Sequence, residues 1–242
     1  MSTSISKTLL KAYELMSTAE QMTHCFEKNR EITQTYVHAT SRGHEAIQLA
    51  CSMQLQPTDF LYPYYRDDAM LLGIGMTPYD LMLQLLAKRD DPFSGGRTYY
   101  SHASLRVSDK PQIPHQSSAT GMQAIPASGT AMGIQYKEKV GLTEDWGSAK
   151  PISVCSIGDA AMTEGEVSEA LQMAALKQYP LLVVVQDNGW DISASASEVR
   201  SGDAADYAKG FPGINVVQLD GSDFSSCFHA VREVLSKMRK TR

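Results

Sequence analysis

The chain has 242 residues, of which 43% are hydrophobic, enough for a core that needs neither disulfides nor metals, and the length fits one large α/β domain better than two small ones. Its 27 acidic and 22 basic residues leave a net charge of −5 with no dense basic stripe, which excludes a nucleic-acid footprint and argues against an anionic membrane surface. The longest apolar runs fall far short of a bilayer span, and the amino-terminal MSTSISKTLL has no secretory character. The four cysteines form no C-x-x-C pair, which points to a reduced, cytoplasmic protein in which each cysteine is a buried small hydrophobe.

Over residues 6–32, Leu9, Leu10, Tyr13, Met16, Ala19 and Phe26 recur at helical spacing among polar residues, so an amphipathic helix is expected. A second helix starts near Gly43 and runs through Ile47, Leu49, Ala50 and Met53 until Gln56-Pro57 stops it. Residues 59–63 read as extended and 66–73 as helical, and Pro78 opens a further helix through Leu86. From Asp90 to Ala124 the periodicity fails while Gly, Ser, Pro and His accumulate; a loop that long inside a compact domain tends to be functional. Residues 124–140 read as a helix in which Gly129, Ala131 and Gly133 let a neighbour approach closely.

Residues 151–193 carry the most information. Two short apolar runs rich in β-branched residues, 151–157 and 181–186, suit buried parallel strands. Between them Thr163-Glu164-Gly165-Glu166 has the form of a capping box that opens a helix with Val167, Ala170, Leu171, Ala174 and Ala175 on one face. The resulting β-turn-α-β unit, with a right-handed crossover, puts Gly158-Asp159-Ala160 and Asp187-Asn188-Gly189-Trp190 at the carboxyl edge of a sheet, where open α/β folds bind ligands. The Asp159 carboxylate and the Asn188 amide oxygen are hard donors suited to Mg²⁺. The helix start after Thr163 favours an anion, so together they suit a magnesium-bridged pyrophosphate. The same residues equally suit a bland reading, with Asp159 as a helix cap and Asn188-Gly189 as a turn.

Gly158-Asp159-Ala160 followed through a helix and strand by Asp187-Asn188 resembles the thiamine diphosphate signature, and the text from Gly158 to Ser193 is similar to the alpha subunits of the 2-oxo acid dehydrogenases of pyruvate and branched-chain type. The similarity extends to Arg42-Gly43-His44-Glu45-Ala46, Tyr64-Tyr65-Arg66-Asp67, Gly96-Arg97 with His102, Ser117-Ser118-Ala119-Thr120 and Leu219-Asp220-Gly221-Ser222-Asp223, in the family's order. The resemblance implies a thiamine diphosphate-binding α/β fold, with a mostly parallel sheet flanked by helices on both faces, spanning residues 1–242 as a single module. It implies that Asp159, Asn188 and the carbonyl of Trp190 hold Mg²⁺. It further implies that Tyr65 and Arg66 meet the diphosphate, that Ser118 and Thr120 approach the cofactor with Gly158 and Ala160, and that His102 lines its reactive end. For His102 the plainer reading is a loop histidine bonded to a neighbouring backbone, and Glu45 looks like a structural helix residue.

The activity so implied is oxidative decarboxylation of a small 2-oxo acid, with acyl transfer to the lipoyl disulfide of an acyltransferase. It requires a beta subunit or fused beta-like domain, in a homo-oligomer or heterotetramer, and the chain alone is expected to be inactive. A transketolase-type module and a non-catalytic scaffold of the same fold are the alternatives. Departures from the pattern are Ala160 in place of Gly, Gln186, itself expected among the cofactor contacts, where branched-chain relatives carry an arginine on the diphosphate, and Asp187 in place of the first Asn. The last adds negative charge beside a polyanion unless it turns to a backbone donor. The strand expected before Asp220 leads into a helix at 224–237 that carries His229 on its surface or in its packing, and the basic tail 237–242 reads as a solvated helix end, short of the family's catalytic loop.

Overall fold

The computed structural model describes residues 2–36, 39–116, 118–147 and 149–241. In chain order the elements are α1 (Ser2–Lys28), α2 (Arg30–Thr33), α3 (Glu45–Ser52), β1 (Phe60–Tyr62), α4 (Asp68–Gly73), α5 (Pro78–Leu85), α6 (Ala124–Val140), β2 (Ser153–Gly158), α7 (Gly165–Lys177), β3 (Leu181–Gln186), β4 (Trp190–Asp191), β5 (Ala194–Ser195), α8 (Ala196–Val199), α9 (Ala204–Ala208) and α10 (Phe224–Thr241).

Strands β1, β2 and β3 form a small parallel sheet in that order, with Leu61 opposite Val154 and Val154 opposite Leu182. Successive strand residues point to opposite faces, and the packing follows that alternation. Leu61, Val154 and Val184 join the larger core with residues of α1, α3, α4, α5 and α10, whereas Tyr62, Cys155 and Ile157 pack on α6 and α7. Helices therefore cover both faces of a helix-rich α/β fold, and the continuous apolar character of 152–157 reflects burial on both sides.

Three details differ from the sequence reading. The capping box at Thr163 does not form: residues 159–163 make a 3₁₀ turn, the Thr163 hydroxyl donates back to the Ala160 carbonyl, and α7 begins at Gly165. Capping boxes form instead at Thr77–Asp80, opening α5, and at Ser195–Glu198, opening α8. In α6 the residues that pack inward are Ala124, Ala127, Ser128, Ala131 and Ile134. A side chain at Gly129 or Gly133 would meet nothing within 4 Å, so these two glycines serve no close approach within the chain.

Cys51, Cys155 and Cys227 are buried as expected, but Cys25 lies on the exposed side of α1. The strand expected before Asp220 does not form among the described residues, and Val216 and Val217 there are exposed. His229 is exposed on α10. That helix runs on to Thr241, and the basic tail is not simply solvated. Arg239 reaches back to Asp59, which is fully buried, with Nη1 and Nη2 at 2.8 and 2.6 Å from its two carboxylate oxygens. Asp59 also accepts from the backbone N–H groups of Gln56 and Ile152, so one buried carboxylate ties the start of β1, the approach to β2 and the end of α10 together. Arg242 lies outside the described residues.

The long segment between α5 and α6 is ordered around polar anchors. The Asp91 carboxylate accepts from the N–H groups of Phe93, Ser94 and Gly96 and from the Ser94 hydroxyl. Gly96 is at φ +75 and a Cβ there would sit 2.6 Å from the Ala87 carbonyl oxygen, so only glycine fits. Tyr100 donates its hydroxyl to Asp68 at 2.6 Å, fastening the segment to α4. Among the described residues no helix is long and apolar enough to cross a membrane.

Candidate active site at the carboxyl edge of the sheet

The carboxyl ends of β1, β2 and β3 open into a cavity of about 680 Å³. After β1 the chain turns at residues 63–67, a turn fixed by the Asp67 carboxylate, which accepts from the Tyr64 N–H at 2.9 Å. The turn projects Tyr65 and Arg66 to the cavity, and the Arg66 guanidinium lies 5.6 Å from the centre of the Tyr65 ring. Its Nη1 donates to the Thr40 carbonyl at 3.3 Å, while its Nε is buried and makes no hydrogen bond among the described residues.

The long segment brings His102 to the same wall. Its Nδ1 lies 2.9 Å from the Tyr100 carbonyl oxygen; a carbonyl only accepts, so Nδ1 carries the proton and Nε2 remains for other partners. The plainer reading of His102 as a backbone-bonded loop histidine therefore describes one ring nitrogen, and the side chain lines the cavity as well. Ser118 and Thr120 line it too; Ser117 lies outside the described residues. Gly121, at φ +79, lets this stretch pass close to α7, since a Cβ would sit 3.1 Å from the Val167 side chain. Gln123 then donates to the Ser156 carbonyl and opens α6 at the cavity.

Gly158, Asp159 and Ala160 follow β2, and Asn188 and Trp190 follow β3; all five line the cavity. Ala160 is not among the residues with positive φ, so it replaces glycine without strain. Asp159 does not cap a helix. Its Oδ2 accepts from the Gly189 N–H at 3.2 Å and from Nη2 of Arg200, whose side chain is only 6% exposed. Asn188 Oδ1 accepts from the Trp190 N–H, and Asp187 Oδ1 accepts from the Gly189 N–H, both at 2.9 Å, so Asp187 has turned to a backbone donor. Beyond Trp190, Ile192 is almost fully exposed at φ 55, an unusual conformation for a β-branched residue at the cavity mouth.

Gln186 is the one proposed cofactor contact that lies elsewhere. It is buried, donates to Asp67 Oδ1 at 2.7 Å and to Ser156 Oγ at 2.8 Å, and accepts from Gln48 Nε2 at 2.8 Å. The last residue of β3 points its side chain into the core, so the residue standing where relatives place an arginine is spent on a polar network under the site.

The electrostatics follow this arrangement. Burial raises the Asp159 carboxyl, but the hydrogen bond with Asp187 and the Arg200 guanidinium overcome that and hold it below the usual carboxylate range. Burial, then the neighbouring Asp159, pushes Asp187 up. Under the site, burial raises Asp67 to about 6 and Asp68 to about 7. Burial, then the Arg66 charge, lowers His44.

Arg200 was not legible as a site residue. The Ser195–Glu198 capping box could have placed a helix just before it, but nothing local ties it to Asp159, 41 residues earlier. Among the described residues no group of three or more His, Cys, Asp or Glu side chains is gathered for a metal. The site offers one carboxylate, one amide oxygen and loop carbonyls, a donor set suited to a hard cation that keeps waters and anionic oxygens as its other ligands.

A small parallel sheet covered by helices, with a cavity at its carboxyl edge where open sheets bind ligands, defines a helix-rich α/β protein. The chain belongs to the dehydrogenase E1 component family, whose description matches residues 13–242. It is 28% identical over 226 residues to 2-oxoisovalerate dehydrogenase subunit alpha 1, mitochondrial, of Arabidopsis thaliana, covering 93% of this chain and 45% of the relative. It is 29% identical over 236 residues to the 3-methyl-2-oxobutanoate dehydrogenase subunit alpha of Mycobacterium tuberculosis, covering 96% and 57%. With the pyruvate dehydrogenase E1 component subunit alpha of Acholeplasma laidlawii it shares 25% over 210 residues, 84% of this chain and 52% of the relative. The chain spans about half the length of the curated relatives it matches.

Proposed function

We propose that this chain is the diphosphate-binding half of a thiamine diphosphate-dependent 2-oxo acid dehydrogenase, acting with a beta subunit or fused beta-like domain and passing an acyl group to a lipoyl disulfide. The fold is accordingly read as a thiamine diphosphate-binding fold. The observation that carries the proposal is the meeting of Arg66, Asp159 and Asn188 in one cavity at the ends of three parallel strands, with a buried Arg66 Nε that has no acceptor among the described residues. A buried guanidinium N–H without a partner costs stability unless an anion fills the gap, so the residues present fit a magnesium diphosphate.

Asp159 and the Asn188 side chain, with the Trp190 carbonyl, would hold Mg²⁺, and Tyr65 and Arg66 would meet the diphosphate. When bound, thiamine diphosphate supplies the electron sink that decarboxylation of a 2-oxo acid requires. The rest falls to the chain. The Tyr64–Asp67 turn aims Arg66. Ser118 and Thr120 add hydroxyls along the cavity wall, and His102, with Nδ1 committed to a carbonyl, keeps Nε2 to exchange a proton within it.

The test is a calorimetric comparison of thiamine diphosphate and thiamine, each in excess Mg²⁺. A site organised around the diphosphate binds the diphosphate form at least about 100-fold more tightly, the scale of two charge-assisted contacts. Equal binding, or none, removes the proposal.

A further inference from the structure

The cluster at the cavity floor holds more charge than a simple metal seat. Arg200 Nη2 pairs with Asp159 Oδ2 and lies 3.9 Å from Asp187 Oδ1, so one guanidinium serves two carboxylates. The oxygen it holds is a hard donor of the candidate metal site, and Gly189 N–H donates to the same atom. Arg200 is buried, and its Nε and Nη1 make no hydrogen bond among the described residues. It reaches this place because the β4–β5 hairpin folds back: the Ala196 N–H donates to the Gly189 carbonyl at 2.8 Å, and the single turn of α8 then delivers Arg200 over Asp159.

We propose that Arg200 is a resident counter-ion that competes with the divalent cation for Asp159, an inference that rests on the metal-site reading above. A guanidinium and a divalent cation cannot both sit in contact with Asp159 Oδ2 while Gly189 N–H also occupies it. Cation contact at Oδ2 therefore requires Nη2 to withdraw, and Arg200 sets the affinity of that oxygen for metal. Removing the guanidinium takes one positive charge away from this pair of carboxyls. The guanidinium, 3.9 Å from Asp187 Oδ1, also offsets in part the burial and the Asp159 charge that act on Asp187.

The probe is Mn²⁺ alone, titrated against the full chain and followed by the loss of the free-ion electron paramagnetic resonance signal. Arg200→Met removes the competitor and is expected to bind Mn²⁺ about tenfold more tightly or better, whereas Arg200→Lys, which keeps the charge, stays within about threefold of the unaltered chain. Unchanged or weaker binding by a folded Arg200→Met chain overturns the proposal. Should Arg200→Met fail to fold, the arginine Nε–H signal absent from Arg200→Lys is followed by nuclear magnetic resonance in the unaltered chain as Mg²⁺ is added. A shift supports withdrawal of the guanidinium, and a fixed signal under saturating Mg²⁺ overturns it. If the unaltered chain binds neither Mn²⁺ nor magnesium thiamine diphosphate, the metal-site reading and this inference fall together; if it binds both and Arg200→Met changes nothing, this inference alone falls.

Discussion

Gln186 Nε2 donates to Asp67 Oδ1 across 2.7 Å, joining the last residue of β3 to the turn that aims Arg66. Gln48 and Ser156 complete the network, and Gln48 also donates to the Arg66 carbonyl at 3.0 Å. The candidate site thus rests on a buried polar floor whose members bond to one another, with the Gln48 side-chain oxygen alone in that network making no hydrogen bond among the described residues. Replacing Gln186 by Leu removes one acceptor of the Gln48 amide and the side-chain donor to Asp67 Oδ1, and takes a partner from Ser156 Oγ. Urea denaturation is expected to show a loss of about 2–4 kcal/mol, the combined cost of orphaning buried polar groups. A loss below about 0.5 kcal/mol would mean that the network contributes little.

The Asp59–Arg239 pair fastens the carboxyl-terminal helix to the amino ends of β1 and β2. Because Asp59 is fully buried and bonded to both guanidinium nitrogens, Arg239→Met strands a charge in the core and is expected to cost about 3–5 kcal/mol. The loss should persist in high salt, since buried pairs are weakly screened. An effect that vanishes in salt would place the pair at the surface.

Asp68 provides a pH signature. Burial raises its carboxyl from 3.8 to about 7, so the folded chain favours the neutral acid more than the unfolded chain does. The resulting penalty is absent below about pH 4, grows as pH rises towards 7 and is complete above it. Asp68→Asn stays neutral and can still accept from the Tyr100 hydroxyl. Its stability relative to the unaltered chain should therefore rise between pH 5 and pH 8, by up to about 2.5 kcal/mol. Melting curves across that range check it, and a pH-independent difference contradicts it.

What the sequence made legible has a physical pattern. Elements with a strong local signal came through: the apolar β-branched runs became β2 and β3, and the Pro78 start became the capped α5. The loops after the two strands reached the carboxyl edge because the β-α-β path requires it. The failures are polar and non-local. Arg239 reads as a solvated helix end until Asp59, 180 residues away, is placed beside it. Gln186 sits one position from the site in sequence yet faces the core, because alternation along a strand decides its side. Thr163 had the residue pattern of a cap but lies inside a 3₁₀ turn that spends its hydroxyl on Ala160.

The account depends most on Asp159 as the carboxylate that holds a divalent cation for a diphosphate. Calorimetric titration of magnesium thiamine diphosphate into the unaltered chain and into Asp159→Asn tests it directly, with circular dichroism confirming that both are folded. The account predicts binding by the unaltered chain and a loss of about 10–100-fold or more in the variant, at least the scale seen when a metal site's supporting shell is disturbed. Equal affinity in the two chains would contradict it and leave Asp159 as no more than the partner of Arg200.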